Sequence, residues 1–361
     1  LGSYQIPRII GRVGHIRAFA ALCALGSIAI LVHALSVNWP TWTAMRMLTG
    51  FCFAGLYIIC ESWLNDRSTN ETRGRLLSIY MVVQFGAATA SQIAFMVGLA
   101  SPAGFELFAL VAVVMSAAVV PVALTPIPTP AFERPTHISL AALYRASPLG
   151  VIGMLGVGLS LSVFASMSAV YAKSLGFSDT VVALFVMVGI LGGTVSQWPV
   201  GRLSDRMPRR SIITIVTLAA AVVAAGAAAL PGTSQLTLLA VAFVFGSLSL
   251  PMYSLCVAHT NDFLRPEQMV AASSGIILLF GIGAIGGPFT VGWVMRATGP
   301  DGFFIFLALI HTAVGLFAIY RMFRRPAPEE RSPFIPATPG AASPAALAAA
   351  RADGPPARAR D

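Results

Sequence analysis

Charged side chains are scarce: they account for 10% of the 361 residues, where a water-soluble domain carries about 25%. A surface so poor in charge is not built to face water on all sides, which excludes a soluble enzyme or a soluble nucleic-acid-binding domain. Acidic residues are scarcer than basic ones, 14 Asp and Glu against 23 Lys and Arg. The surplus cations fall between apolar runs, the pattern of loops in a membrane protein. Only four cysteines occur, Cys23, Cys52, Cys60 and Cys256, with no CxxC spacing. All four lie in apolar runs and read as small packing residues. The five histidines, His15, His33, His137, His259 and His311, are too scattered for a zinc or haem site, so no metal and no cofactor is expected. The sequence also lacks a GxxxxGK[ST] nucleotide loop, an HExxH pair, a GxSxG elbow and paired carboxylates within its apolar runs. Those gaps argue against an ATP-driven pump and against an enzyme.

What the chain has in abundance is apolar length. Hydrophobic residues make up 57% and the mean hydropathy is +0.80. A helix of about 20 mainly apolar residues crosses a hydrocarbon layer of about 30 Å. Ten runs qualify, near residues 18–37, 41–64, 76–99, 105–124, 148–171, 180–199, 211–230, 236–257, 269–295 and 303–321. Barrel strands would be about ten residues long and alternate in polarity, so these runs are helices. The fold class is therefore all-α, a polytopic membrane protein.

Threading ten spans places connections near residues 38, 101, 174, 232 and 298 on one side, and the other connections with both termini on the opposite side. The first side holds only Lys173 and Arg296, the second twenty Lys and Arg. The positive-inside rule then makes both termini cytoplasmic, in a multi-pass protein of the plasma (inner) membrane. Residues 1–17 carry Arg8, Arg12 and Arg17 around Pro7, Gly11 and Gly14; they read as a cytoplasmic loop rather than a signal peptide. Residues 125–147, with Pro126, Pro128, Pro130 and Pro135, form a long cytoplasmic connection. It divides an N-terminal bundle of four spans (1–124) from a C-terminal bundle of six (148–323). Residues 324–361, rich in Pro, Ala, Arg and Ser, are expected to form a disordered cytoplasmic tail.

An internal repeat runs at an offset of 196. It pairs Gly50 with Gly246, Tyr57 with Tyr253, Cys60 with Cys256, Asn65 with Asn261, Asp66 with Asp262, Glu71 with Glu267 and Ser78 with Ser274. These seven identities in 29 positions put a helix end, an Asn-Asp loop and the next helix start in register. The second and eighth spans are thus equivalents. A six-span second half repeating a four-span first half implies two further helices ahead of residue 1. Residues 1–17 would be the loop after them, with residues 201–210 as its counterpart.

That counterpart reads Gly201-Arg202-Leu203-Ser204-Asp205-Arg206-Met207-Pro208-Arg209-Arg210. It resembles the Gly-x-x-x-Asp-Arg-x-x-Arg-Arg loop signature of the major facilitator superfamily. In such a loop the glycine permits close helix approach, the aspartate faces a positive helix N-terminus, and the arginines bridge to acidic partners. The resemblance implies two helical bundles around a central cavity that opens alternately to each side, with about ten of the twelve helices present. It also implies that Gly201, Asp205, Arg206, Arg209 and Arg210 form a cytoplasmic gate whose opening lets the halves rock. In the first loop Arg12, Gly14 and Arg17 keep the signature, but Pro7 replaces its glycine and Gly11 its aspartate. The acidic latch therefore falls to Asp205. The competing reading is a basic loop that only fixes topology.

Arg46 is the only basic residue well inside an apolar run. Burying a lone cation costs several kcal/mol unless it meets water, a carboxylate or a ligand. Arg46 opens the run Arg46-Met47-Leu48-Thr49-Gly50-Phe51-Cys52-Phe53-Ala54-Gly55, similar to the superfamily's fourth-helix signature, in which the family associates the arginine with proton coupling. The alternative is an arginine snorkelling to the outer interface. Glu61, near the cytoplasmic end of the same span, either carries a proton or pairs with Arg12 or Arg75; the pair is the preferred reading and makes it a gate residue. Asp66 and Asp262 read as helix caps. In the ninth span Gly281, Gly283, Gly286, Gly287 and Gly292 surround Pro288, which predicts a weakened helix lining a cavity. Gly150, Gly153, Gly156 and Gly158 predict close packing in the fifth span.

Polar groups within the spans are few. Tyr57, Gln84, Gln92, Gln197 and Tyr253, with Tyr171 and Trp198, suit either a substrate cavity or the ordinary work of anchoring and joining helices. The Gly-Pro run of the superfamily's antiporters is absent between Gln84 and Gln92. The expected activity is secondary transport of a small solute by alternating access, driven by an ion gradient and coupled to protons through Arg46 and Glu61. The protein is expected to act as a monomer in the lipid bilayer. The alternatives are a transporter-fold sensor without solute flux, or an inactive truncated fragment.

Overall fold

The computed structural model describes residues 2–67, 70–98, 105–125, 139–230, 234–264 and 266–324. These form thirteen helices: α1 (Gly2–Val13), α2 (His15–Leu35), α3 (Trp39–Arg67), α4 (Asn70–Gly98), α5 (Phe105–Leu124), α6 (Leu140–Ala146), α7 (Pro148–Ser174), α8 (Asp179–Arg206), α9 (Arg209–Ala229), α10 (Gln235–Ser249), α11 (Met252–Asn261), α12 (Pro266–Thr298) and α13 (Gly302–Arg324). Among the described residues nine segments are long and apolar enough to cross a membrane, with α10 and α11 forming the single segment Gln235–Asn261 that breaks at Pro251. The remaining apolar run, 76–99, is helical through Gly98 within α4. Local chemistry sets several of the ends. Ser178 and Ser234 accept hydrogen bonds from the first-turn amides of Val181 (3.4 Å) and Thr237 (3.2 Å) at the starts of α8 and α10. Gly176, at φ +83°, makes the left-handed turn between α7 and α8 that a side chain would strain.

The repeat read from the sequence is visible in the helix starts. Trp39 and Gln235 open α3 and α10, and Asn70 and Pro266 open α4 and α12, each pair separated by 196 residues. In the N-terminal half α2 packs on α3 and α5, and its core joins Phe19, Leu22, Cys23, Cys52 and Ile59. In the C-terminal half α12 lies on α7, α13 on α9, and α10 on α8. One end of that half is filled by an aromatic cluster in which Tyr171 stacks on Phe303 at 4.8 Å. The main contact between the halves is α4 on α8.

Backbones touch where helices cross in the C-terminal half. A β-carbon on Gly246 would collide with the carbonyl oxygen of Gly189, and one on Gly283 would stand 2.8 Å from the Leu159 nitrogen. The glycines of the fifth and ninth spans therefore bring α7 and α12 together, as expected for α7. The expectation of a weakened ninth span is corrected: α12 runs unbroken from Pro266 to Thr298 with Pro288 inside it. Gly50, the repeat mate of Gly246, meets nothing within 4 Å.

Two more expectations need correction. Residues 1–17, read as a loop, contain helix α1, because Ile6, Ile9 and Ile10 recur at helical spacing and lay one apolar stripe on the bundle. Ile6 and Ile10 are fully buried in the α2–α3 core. The connection 125–147 contains the short helix α6, capped by Ser139, which accepts from the Ala142 amide at 3.2 Å. Its residues 126–138, and the tail beyond residue 324, lie outside the described residues.

Candidate functional site

At the arginine-rich end of the C-terminal bundle, α8 ends with the loop signature and α9 begins three residues after Arg206. Pro208 fixes the turn at φ −56° and leaves Arg209 at the first position of α9. A cation is poorly placed there, because the helix N-terminus is itself positive. The fold offsets this with a carboxylate: Arg209 is buried and its guanidinium forms an ion pair with Asp262, both side chains being 2% exposed or less. The same guanidinium donates to Ser204 Oγ (3.2 Å) and to the carbonyl of Ala258 (3.4 Å). Asp205 stands 3.7 Å from it with a half-exposed carboxylate. These contacts tie α8, α9 and α11 into one unit inside the C-terminal bundle. Gly201 is buried in the last turns of α8, and Arg206 is exposed. Arg202 lies over the exposed Trp198 ring at 3.8 Å, which marks Trp198 as an anchor rather than a cavity residue.

Asp262 was read from the sequence as a helix cap. At the end of α11 its carboxylate also turns to Arg209, a partner that the cap reading does not include. A signal was available in the sequence: an arginine-rich loop needs acids nearby, and the repeat singled out Asp66 and Asp262. The side chains of Asp66, Glu61 and Arg75 lie outside the described residues, and Arg12 is exposed at the end of α1.

Within the spans, Arg46 is exposed on α3, seven residues from its start. That is about 10 Å along the helix axis. Thr49, one turn on, is satisfied by its own helix through the Met45 carbonyl at 2.6 Å. Tyr57 is half-buried with its ring 6.5 Å from Phe53. Gln84 and Gln92 are half-buried on α4, and Gln197 is 5% exposed on α8. The two helices that join the halves thus carry three glutamines. Gln197 Oε1 has no hydrogen-bond partner among the described residues. A buried amide oxygen left without a donor costs about 1–3 kcal/mol. Tyr253 does not join this group; it is buried in the C-terminal core, edge-on to Phe280 at 5.6 Å. Tyr171 is likewise a core residue.

The sequence alone gives His311 no role beyond a lone histidine without metal-ligand spacing. In the structure it is buried in the middle of α13, with one ring nitrogen 2.9 Å from Ser160 Oγ on α7 and the other 3.0 Å from Thr217 Oγ1 on α9. Both nitrogens are used, as a neutral imidazole with one donor and one acceptor requires. The signal was a polar ring at the centre of an apolar run, where only neighbouring helices can satisfy it. His311→Ala is expected to lower stability by about 1–3 kcal/mol, since it leaves two buried hydroxyls short of a partner. Thermal unfolding in detergent checks this, and an unchanged midpoint would contradict it.

Comparison with known proteins agrees with this architecture. The family model described as Major Facilitator Superfamily matches residues 1–281 and 151–355. An MFS-type transporter of Yersinia enterocolitica is 24% identical over 336 residues, covering 92% of this chain and 85% of that protein. The YcaD MFS-type transporter of Escherichia fergusonii is 24% identical over 312 residues, covering 86% and 80%. Among solved structures, the Escherichia coli fucose:proton symporter FucP superposes with a TM-score of 0.58 at 15% identity, covering 89% of this chain and 87% of the other. With well over half of its residues matched by the family model, and with its helices arranged as in a solved transporter of that family, the chain belongs to the major facilitator superfamily and is a multi-pass membrane transporter, not an enzyme.

Proposed function

We propose that this secondary transporter carries a small solute across the plasma (inner) membrane by alternating access, that protons are the coupling ion, and that both termini are cytoplasmic. The observation that carries the reading is the contrast between crossings within a half and the seam between halves. Within the C-terminal half, helices cross backbone to backbone at Gly189–Gly246 and Gly158–Gly283. The seam rests mainly on α4 against α8. A stiff C-terminal half joined to the other mainly through α4 and α8 favours rocking of that half as a rigid body over local deformation.

Gln84, Gln92 and Gln197, on the two helices of the seam, are the groups we assign to the solute, with Gln197 Oε1 as the acceptor a bound donor would satisfy. Asp205, Arg206 and Arg210 stand outside the buried Arg209–Asp262 pair and are assigned to the cytoplasmic gate, as are Arg12 and Glu61 of the N-terminal half. Arg46 is assigned to proton coupling: it is a lone cation exposed on an apolar helix. The fold shared with a fucose:proton symporter supports that assignment.

The test is uptake into proteoliposomes, screening sugars, amino acids, organic acids and hydrophobic cations under an imposed pH gradient. Saturable uptake of one class is expected, falling about tenfold or more when a protonophore collapses the gradient and likewise in Arg46→Ala; a tenfold loss corresponds to about 1.4 kcal/mol. Uptake indifferent to the gradient and to Arg46 would remove the coupling and leave uniport.

A further inference from the structure

We infer that His33 is a proton-operated switch at the sparsely charged end of the N-terminal half: neutral, it holds Trp42 of α3 and Phe108 of α5 against α2, and protonated, it lets them part. His33 lies in the last turn of α2 and is 2% exposed. Its Nδ1 stands 2.6 Å from the carbonyl oxygen of Ala29, one turn back. A carbonyl accepts and cannot donate, so in the neutral ring Nδ1 carries the hydrogen and Nε2 is the bare, basic nitrogen. Nε2 is buried, with no hydrogen-bond partner among the described residues. Three rings meet here. His33 stacks on Phe108 with centroids 6.5 Å apart, Trp42 stands edge-on to His33 at 5.2 Å, and Trp42 lies 6.4 Å from Phe108. The Trp42 indole N–H also donates to the His33 carbonyl at 3.0 Å. His311 differs in the feature that matters, since hydroxyls occupy both of its nitrogens.

A proton on Nε2 gives the ring a positive charge and a second N–H to place. The charged groups on the packed elements do not receive it. Arg46 of α3 is one turn beyond Trp42 and is itself a cation; Glu106 of α5 is two residues before Phe108, a spacing that turns it to another side of that helix. Helix α1, with Arg8 and Arg12, meets the opposite end of α2, where His15 and Arg17 also lie. The C-terminal end of the α2 dipole and the two aromatic faces favour a cation, but these gains are smaller than the cost of a charge shut away from water with an N–H left undonated. The proton therefore binds preferentially to an arrangement in which the rings part and Nε2 meets water, and acidification draws the population towards it. One proton changes the ratio of parted to packed rings by at most about tenfold per pH unit. Parting of the rings frees the start of α3 and so reaches Arg46. That consequence for transport, and nothing else here, rests on the proton-coupling reading.

The test uses the full chain in lipid nanodiscs, with Trp39, Trp63, Trp198 and Trp293 replaced by Phe so that Trp42 is the emitting indole. Its emission is followed over a series from about pH 5 to pH 8, the range in which histidine switches are read. A reversible shift to longer wavelength on acidification is expected, following a one-proton curve, as the indole leaves the ring cluster for water. In His33→Gln, which keeps a polar side chain but takes no proton, the emission should stay at its high-pH position throughout. Should the fourfold Phe variant not fold, the difference between wild-type and Trp42→Phe spectra gives the same readout. Trp42 emission indifferent to pH, or the same pH curve in His33→Gln, would overturn the inference. Uptake indifferent to a pH gradient while the emission still titrates through His33 would contradict the coupling reading and uphold the switch.

Discussion

Arg209→Ala is expected to cost about 3–5 kcal/mol of stability, the largest loss from any single substitution proposed here. The reason is what it leaves behind. Asp262 is 2% exposed in its side chain, so deleting Arg209 removes the counter-charge of a buried carboxylate, and Ser204 Oγ and the Ala258 carbonyl each lose a donor. Asp262→Ala should be damaging as well, since the buried guanidinium at the positive N-terminus of α9 then keeps only the half-exposed Asp205 carboxylate at 3.7 Å as a counter-charge among the described residues. Replacing both by apolar residues, Arg209→Met with Asp262→Leu, should recover much of the loss, because no buried charge then remains. Unfolding midpoints of the two single variants and the double variant check this. A double variant as unstable as the sum of the singles would show that the pair is not one interacting unit.

The second large effect is expected at the crossing of α8 and α10. Gly246→Val places a branched side chain against the Gly189 carbonyl and α-carbon, backbone atoms that cannot rotate away. Overpacking of this kind costs about 1–3 kcal/mol and occasionally more, and here the helices themselves must separate. A β-carbon on Gly189 would meet the ring of Phe164. The matched control is Gly226→Ala in the interior of α9. A β-carbon there meets nothing within 4 Å, and alanine is the better helix former by about 1 kcal/mol. Gly226→Ala should therefore hold or raise the midpoint while Gly246→Val lowers it. Equal effects from both would remove the close crossing from the account of the rigid half.

The spans were legible because their signal is local: about 20 apolar residues suffice, whatever they pack against. The repeat was legible for a related reason, since Asn65-Asp66 and Asn261-Asp262 mark helix ends at a shared offset, and the starts of α3, α4, α10 and α12 keep it. Helix α1 was hidden because Pro7, Gly11 and Gly14 are loop signals that mask the stripe of Ile6, Ile9 and Ile10. The Arg209–Asp262 pair joins residues 53 apart in sequence; nothing local to Asp262 distinguishes it from a cap. The placement of Tyr253 was hidden for another reason. In a membrane the lipid-facing and core-facing sides of a helix are equally apolar, so periodicity does not tell which face of the eighth span turns inward. The role of His311 was hidden because its two hydroxyl partners lie on α7 and α9, far away in the chain.

The central claim is that the two halves alternate about their seam, and a pair of distance measurements tests it without knowing the solute. Spin labels at Val37 and Leu236, both exposed near the ends of helices on the sparsely charged side, report the outer mouth. Labels at Val13 and Tyr144, exposed near the arginine-rich side, report the inner one. With Cys23, Cys52, Cys60 and Cys256 replaced, the distances are read by pulsed electron resonance in lipid nanodiscs across a pH series. The account predicts two distances at each mouth, with populations that shift in opposite directions, so that the condition widening one mouth narrows the other. A single unchanging distance at both mouths, or the two mouths widening together, would contradict it.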